Sequence, residues 1–257
     1  MRTSVLALFL LLTCLFYASA APRTIHLFVA LCDNQSQGIA PVPAKIGNGN
    51  DPDSNLYWGC SDGAKSYFSN SSKWKRLAVI KPTDKESPIL ERIIFQHKES
   101  QSLLVADAYR GSAIKTCIKD YLNACLGGFE ASVEHSSLDK KLAIGSKSNL
   151  VAYIGHNGLM DFQLNITSAE KPPVILTITL CCHSESYFSK YFRQGNVYPL
   201  LQTKSLMYPG AFILHDALEG LFKSNNEKEI RMRAVNAYAR NQKISVKAAG
   251  TIFSPAK

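Results

Sequence analysis

Two short stretches concentrate the residue types that do chemistry. LVAYIGHNGLMDF, residues 150–162, runs apolar into His156, Asn157 and Gly158, and VILTITLCCHSESYF, residues 174–188, runs apolar into Cys181 and Cys182. A cysteine attacks a carbonyl carbon through its thiolate, and an imidazole within reach takes the thiol proton and later protonates the leaving amine. If the two apolar runs are neighbouring parallel strands, about 4.8 Å apart, His156 and Cys182 project from one edge with room for a substrate atom between them. The backbone N–H of Asn157 or Gly158, together with that of Cys182, is then placed to stabilise an oxyanion. Cys181, its side chain pointing opposite to that of Cys182, reads as a core thiol. A strained Cys181–Cys182 disulfide is the competing arrangement and would abolish the nucleophile.

The elements that must position these groups follow from apolar periodicity. TIHLFVAL, residues 24–31, is a continuous apolar run that suits a strand buried on both faces. A loop at residues 35–54, rich in Gly, Pro and Asn, follows it and is long enough to suggest function or flexibility. Asp53 or Ser54 is placed to cap a helix through Leu56, Trp58 and Tyr67 that ends near Asn70. LAVIKP, ILERIIFQHK and LLVADAYRG read as strands, and Ser112 as the cap of a helix closed by Gly127 and Gly128. AFILHDALEGLF and EIRMRAVNAYARNQ repeat their apolar residues at helical spacing. Strands alternating with helices predict an α/β fold, a mostly parallel sheet with helices on both faces, whose function gathers beyond the carboxyl ends of the strands. Asp33, His156 and Cys182 all follow the last apolar residue of such a run.

The two chemical stretches resemble the signature of the caspase, gingipain and legumain group of cysteine peptidases: an apolar strand followed by His-Gly, then a later apolar strand followed by Ala-Cys. In LVAYIGHNG and VILTITLCCHS, Cys181 takes the alanine position and Cys182 that of the nucleophile. Asn157 intervenes between His156 and the motif's glycine, Gly158. As an order of elements the likeness spans about residues 24–190. It implies a caspase-like fold over residues 21–257 and hydrolysis of a peptide or protein substrate by Cys182, with His156 as general acid/base and no metal or organic cofactor. It also implies a pocket, built partly by a residue beyond the first strand, for the side chain preceding the cut bond, acidic where that side chain is basic. Asp33 in ALCDN stands at that place and Asp107 in LLVADAYRG is a second candidate, although Asp33 suits an Asx turn equally well.

The remaining features bound these readings. MRTSVLALFLLLTCLFYASAAP combines Arg2, an apolar stretch and a small-residue site at Ala18-Ser19-Ala20, and predicts a secretory signal peptide over residues 1–20. No later run is long enough for a membrane-spanning helix. The expected product is an exported chain, secreted or periplasmic, with six cysteines and neither the C-x-x-C of a zinc site nor the density of a disulfide lattice. A formal charge of +9 falls by one when Arg2 leaves with the leader, but the basic residues scatter without the aromatic interleaving of a nucleic-acid groove. Two alternatives to a peptidase stay open. One is a non-catalytic module that binds a peptide or glycan on the same scaffold; the other is a basic, envelope-associated structural protein. The sequence leaves the oligomeric state undetermined.

Overall fold

The computed structural model describes residues 21–224 and 226–256, and the predicted leader at residues 1–20 lies outside them. The first apolar run forms strand β1 (Thr24–Ala30), which becomes the middle of a seven-stranded sheet. Its neighbours are β4 (Leu103–Tyr109) on one side and β7 (Leu150–Ile154) on the other, both parallel to it. Beyond β7 lie β8 (Ile175–Leu180) and β9 (Val197–Leu201), also parallel. Beyond β4 the chain has paired β3 (Ile89–His97) and β2 (Trp74–Ile80) antiparallel. The order is therefore β2-β3-β4-β1-β7-β8-β9. A separate hairpin, β5 (Glu130–Val133) with β6 (Leu142–Gly145), packs Val133 and Ile144 onto Ile94 and Val105.

Both faces of the sheet are covered, which is why β1 is apolar without alternation. Ile25, Leu27 and Val29 face a layer made by α1 (Ala64–Asn70), α4 (Ala211–Lys223) and α5 (Glu227–Gln242), represented by Phe68, Leu214 and Val235. Phe28 and Ala30 face α2 (Ile114–Leu126) and α3 (Ser184–Phe192), represented by Tyr121 and Phe188. Each fully buried Leu, Ile or Phe side chain contributes about 1.5–3 kcal/mol. A short α6 (Val246–Gly250) precedes the C-terminal segment, where Phe253 bridges Thr203. Among the described residues, no helix is long and apolar enough to cross a membrane.

Three local expectations differ from the structure. Residues 51–63 form turns and α1 starts only at Ala64, because the Asx-rich segment satisfies itself: Asp53 N–H bonds Asp51 and Ser54 Oγ bonds the Lys45 carbonyl. Ser112 lies inside a single 3-10 turn, Gly111–Ala113, and α2 begins at Ile114 with no side-chain cap. The loop at residues 35–54 is wired rather than open. Asn34 donates to the Val42 carbonyl at 2.7 Å and accepts from Val42 N–H at 3.0 Å, and Leu56 N–H reaches the Ile46 carbonyl. The α2 terminus is as expected, with Gly127 at φ 87°, a left-handed conformation that a side chain disfavours.

Candidate active site

Strands β7 and β8 are parallel neighbours, with Ile154 opposite Leu180. Gly155 N–H extends the pairing to the Leu180 carbonyl at 3.3 Å. His156 and Cys182 each stand two residues past that matched pair, so both leave the sheet at its carboxyl edge on adjacent strands.

The histidine is held from both ends. Tyr153 Oη donates to the His156 carbonyl at 2.7 Å, and the ring Nε2 stands 2.7 Å from Asp161 Oδ2. A carboxylate only accepts, so Nε2 carries the proton and Nδ1 is the free basic nitrogen. Asp161 is placed by the one-turn 3-10 helix Gly158–Met160 that follows the strand. Asn157 caps that turn by accepting from Leu159 N–H at 3.2 Å, while its Nδ2 donates to the Cys182 carbonyl at 2.6 Å. The residue that interrupts the His-Gly motif is thus a cross-brace between the two strand ends.

Cys182 is half-buried and its sulfur faces the segment after β9. It accepts from Met207 N–H at 3.4 Å and lies 3.6 Å from the Met207 carbonyl. No hydrogen bond joins the sulfur directly to the His156 ring, whose partner is Asp161. Both sulfur contacts are weak. Cys181 is fully buried among the α2 and α3 side chains, and burial pushes its thiol far up. Both cysteines are free thiols, so the vicinal disulfide is not formed. Thr203 Oγ1 bonds the Cys181 carbonyl and, at 3.0 Å, Ser184 Oγ, which fixes the turn from β8 into α3. His183 takes a left-handed φ of 51° in that turn and directs Nδ1 to the Lys204 carbonyl at 2.8 Å.

Of the two expected oxyanion donors, Gly158 N–H is spent on the His156 carbonyl at 3.1 Å. Of the two, only the Asn157 N–H is left without a protein acceptor among the described residues, as is that of Cys182.

The two aspartates resolve differently. Asp33 Oδ1 accepts from Gln35 N–H at 2.8 Å and Ser36 N–H at 3.2 Å, which is the Asx turn. Its carboxylate also borders Gly49 and Gly111, where an added Cβ would come within 2.3 Å of its atoms. Asp33 helps line a recess of about 260 Å³ with Asn48 and Asn50. Asp107 is not at the rim: it is fully buried within β4, between Arg92 at 2.6 and 2.7 Å and His26 Nε2 at 2.9 Å. Burial works to raise its pKa, but the Arg92 charge and hydrogen bonds prevail and bring it to about 2. That carboxylate holds the interior of the sheet and has no free face for a substrate.

Three residues that the sequence reading did not single out also contact these groups: Asp161, Met207 and Thr203. Asp161 was visible in HNGLMD as an acid five residues after the histidine, whereas Met207 and Thr203 reach the cysteines only through the return of the chain beyond β9. A second histidine chain lies at the opposite edge, near the start of β2, where Ser71 Oγ meets His215 Nε2 at 2.9 Å and His215 Nδ1 meets Asp216 at 2.9 Å. Beside it Glu219 bonds His97 and Lys73. These bonds staple α4 to the amino edge of the sheet. Among the described residues no group of three or more His, Cys, Asp or Glu is arranged to hold a metal ion. Compared with family models, curated proteins and solved structures, the chain has no match.

Proposed function

We propose that the chain is an exported, caspase-like cysteine peptidase or related amide hydrolase, in which Cys182 attacks the carbonyl carbon and His156 transfers protons. The observation that carries this reading is the register of β7 against β8, which delivers a thiol and an imidazole to one rim from adjacent parallel strands. Asp161 orients the imidazole, and the Asn157 and Cys182 N–H groups receive the developing oxyanion. Attack forms a C–S bond; protonated His156 gives its proton to the leaving amine as the C–N bond breaks; water then hydrolyses the thioester.

The test is labelling by a thiol-directed peptide inhibitor. Cys182→Ala should abolish it while the far-ultraviolet circular dichroism stays unchanged; undiminished labelling rejects the assignment. A second reading, a peptide- or glycan-binding module without turnover, is favoured by the absence of a direct bond between Cys182 and His156. It predicts ligand retention that survives His156→Ala.

A further inference from the structure

The turn that follows the central strand β1 closes onto the acid beside the histidine. The Asp161 side chain is 38% exposed, and among the described residues its carboxylate has two hydrogen-bond partners, His156 Nε2 at 2.7 Å and the Gly38 N–H at 3.4 Å. A Cβ added to Gly38 would stand 2.6 Å from Asp161 Oδ1, 3.1 Å from its Cγ and 3.3 Å from its Oδ2, inside van der Waals contact. The space that a side chain would need at residue 38 is thus filled by this carboxylate. Backbone conformation does not call for glycine there, since the positive-φ glycines among the described residues are Gly127, Gly145 and Gly155. The turn itself is held in place. Asp33 accepts from the Gln35 and Ser36 N–H groups, and the buried Gln37 donates through Nε2 to the Leu31 carbonyl at 2.7 Å and the Gly111 carbonyl at 3.1 Å. Gln37 therefore fixes residue 38 relative to the end of β1, while the one-turn 3-10 helix carries Asp161 from the end of β7.

We infer that Gly38 is a positioning residue of the candidate site: lacking a side chain, it lets the β1 turn lie against Asp161 and hold that carboxylate on the His156 ring. The catalytic consequence rests on the cysteine-hydrolase reading above; the placement of Asp161 does not. A partly exposed aspartate on a single helical turn has other rotamers open to it in water, and the backbone at residue 38 closes some of them. Three strand ends then build the rim: β7 supplies the imidazole, β8 the thiol, and β1 the cover over the acid.

The test is Gly38→Ala in the full-length protein, alone and combined with Asp161→Ala. A crystal structure of Gly38→Ala should show the turn at residues 33–38 in place and Asp161 Oδ2 moved beyond about 3.5 Å from His156 Nε2, out of hydrogen-bond reach. An unmoved carboxylate overturns the inference. Labelling of Cys182 by a peptide acyloxymethyl ketone should lose about 10- to 100-fold in maximal rate, the scale of a misplaced catalytic geometry, with the half-saturating concentration unchanged. In the Asp161→Ala background, Gly38→Ala should change that rate less than about 2-fold, because the acid through which it acts is gone. A wild-type rate in Gly38→Ala, or an equal loss in both backgrounds, also overturns the inference. Absence of labelling in the wild-type protein removes the hydrolase reading, and the Asp161–His156 distance in the Gly38→Ala crystal still decides the placement.

Discussion

Asp161 Oδ2 stands 2.7 Å from His156 Nε2, so the imidazole is oriented by an acid from its own turn. One nitrogen is committed by that contact, and the other has no bonded partner among the described residues.

On the proposed mechanism Asp161→Asn keeps the shape but loses the carboxylate that selects the tautomer. Turnover of a peptide substrate should fall on the order of 10- to 100-fold, less than the roughly 10²- to 10⁴-fold expected for His156→Ala, which removes the acid/base group itself. Equal activity in the Asp161→Asn variant and the wild type would show that the contact is only structural.

The two adjacent cysteines should separate cleanly. Cys182→Ala should abolish inhibitor labelling at little cost in stability, since that side chain is half-buried with weak sulfur contacts. Cys181→Ala should leave labelling in place and instead lower the urea midpoint, because it empties space beneath α3. Labelling lost in the Cys181 variant alone would reverse their roles.

Thr203→Val tests how the cysteine turn is held. It removes the hydroxyl that bonds the Cys181 carbonyl and accepts from Ser184 N–H at 3.1 Å. The loss should be about 1–3 kcal/mol by denaturant titration, because those buried groups are left unsatisfied.

Asp107 is predicted to be a stability residue and not a specificity residue. Arg92→Ala leaves a fully buried carboxylate without its cation and should cost about 3–5 kcal/mol, with any inhibitor preference unchanged in protein that remains folded. A changed preference at unchanged stability would restore the pocket role.

Stability should fall in two acid windows. His26 has its pKa lowered by burial, which outweighs Asp107, and its Nδ1 accepts from Gly145 N–H at 3.2 Å, so the folded protein keeps the ring neutral. The unfolded chain binds that proton first, and stability is lost as pH falls below about 6.5. Asp107 and Glu219 are both depressed to about 2, from 3.8 and 4.5, against opposing burial; Arg92 outweighs it for Asp107, and His97 with Lys73 for Glu219. Their contribution is present above those ordinary values and is lost between them and about pH 2. A melting temperature that stays level from pH 7 to pH 5 would contradict the His26 part.

How much was legible in the sequence follows from which interactions are local. The runs at residues 24–31, 150–154 and 175–180 announced buried strands because side chains covered on both faces leave no polar alternation. A mostly parallel sheet with helices on both faces, and the placing of His156 and Cys182 just past two strand ends, followed from that pattern. So did the pair of readings for Asp33, which geometry alone could separate, since an Asx turn and a pocket acid start from the same residue at the same junction. Tertiary structure decided what depends on contacts between segments distant in the chain. It set β7 beside β8, carried Met207 back to the sulfur, turned Asn157 into a brace on the Cys182 carbonyl, and buried Asp107 against Arg92 and His26. Periodicity reports which side of an element is dry; which polar group meets which across the dry space is fixed only when the elements pack together.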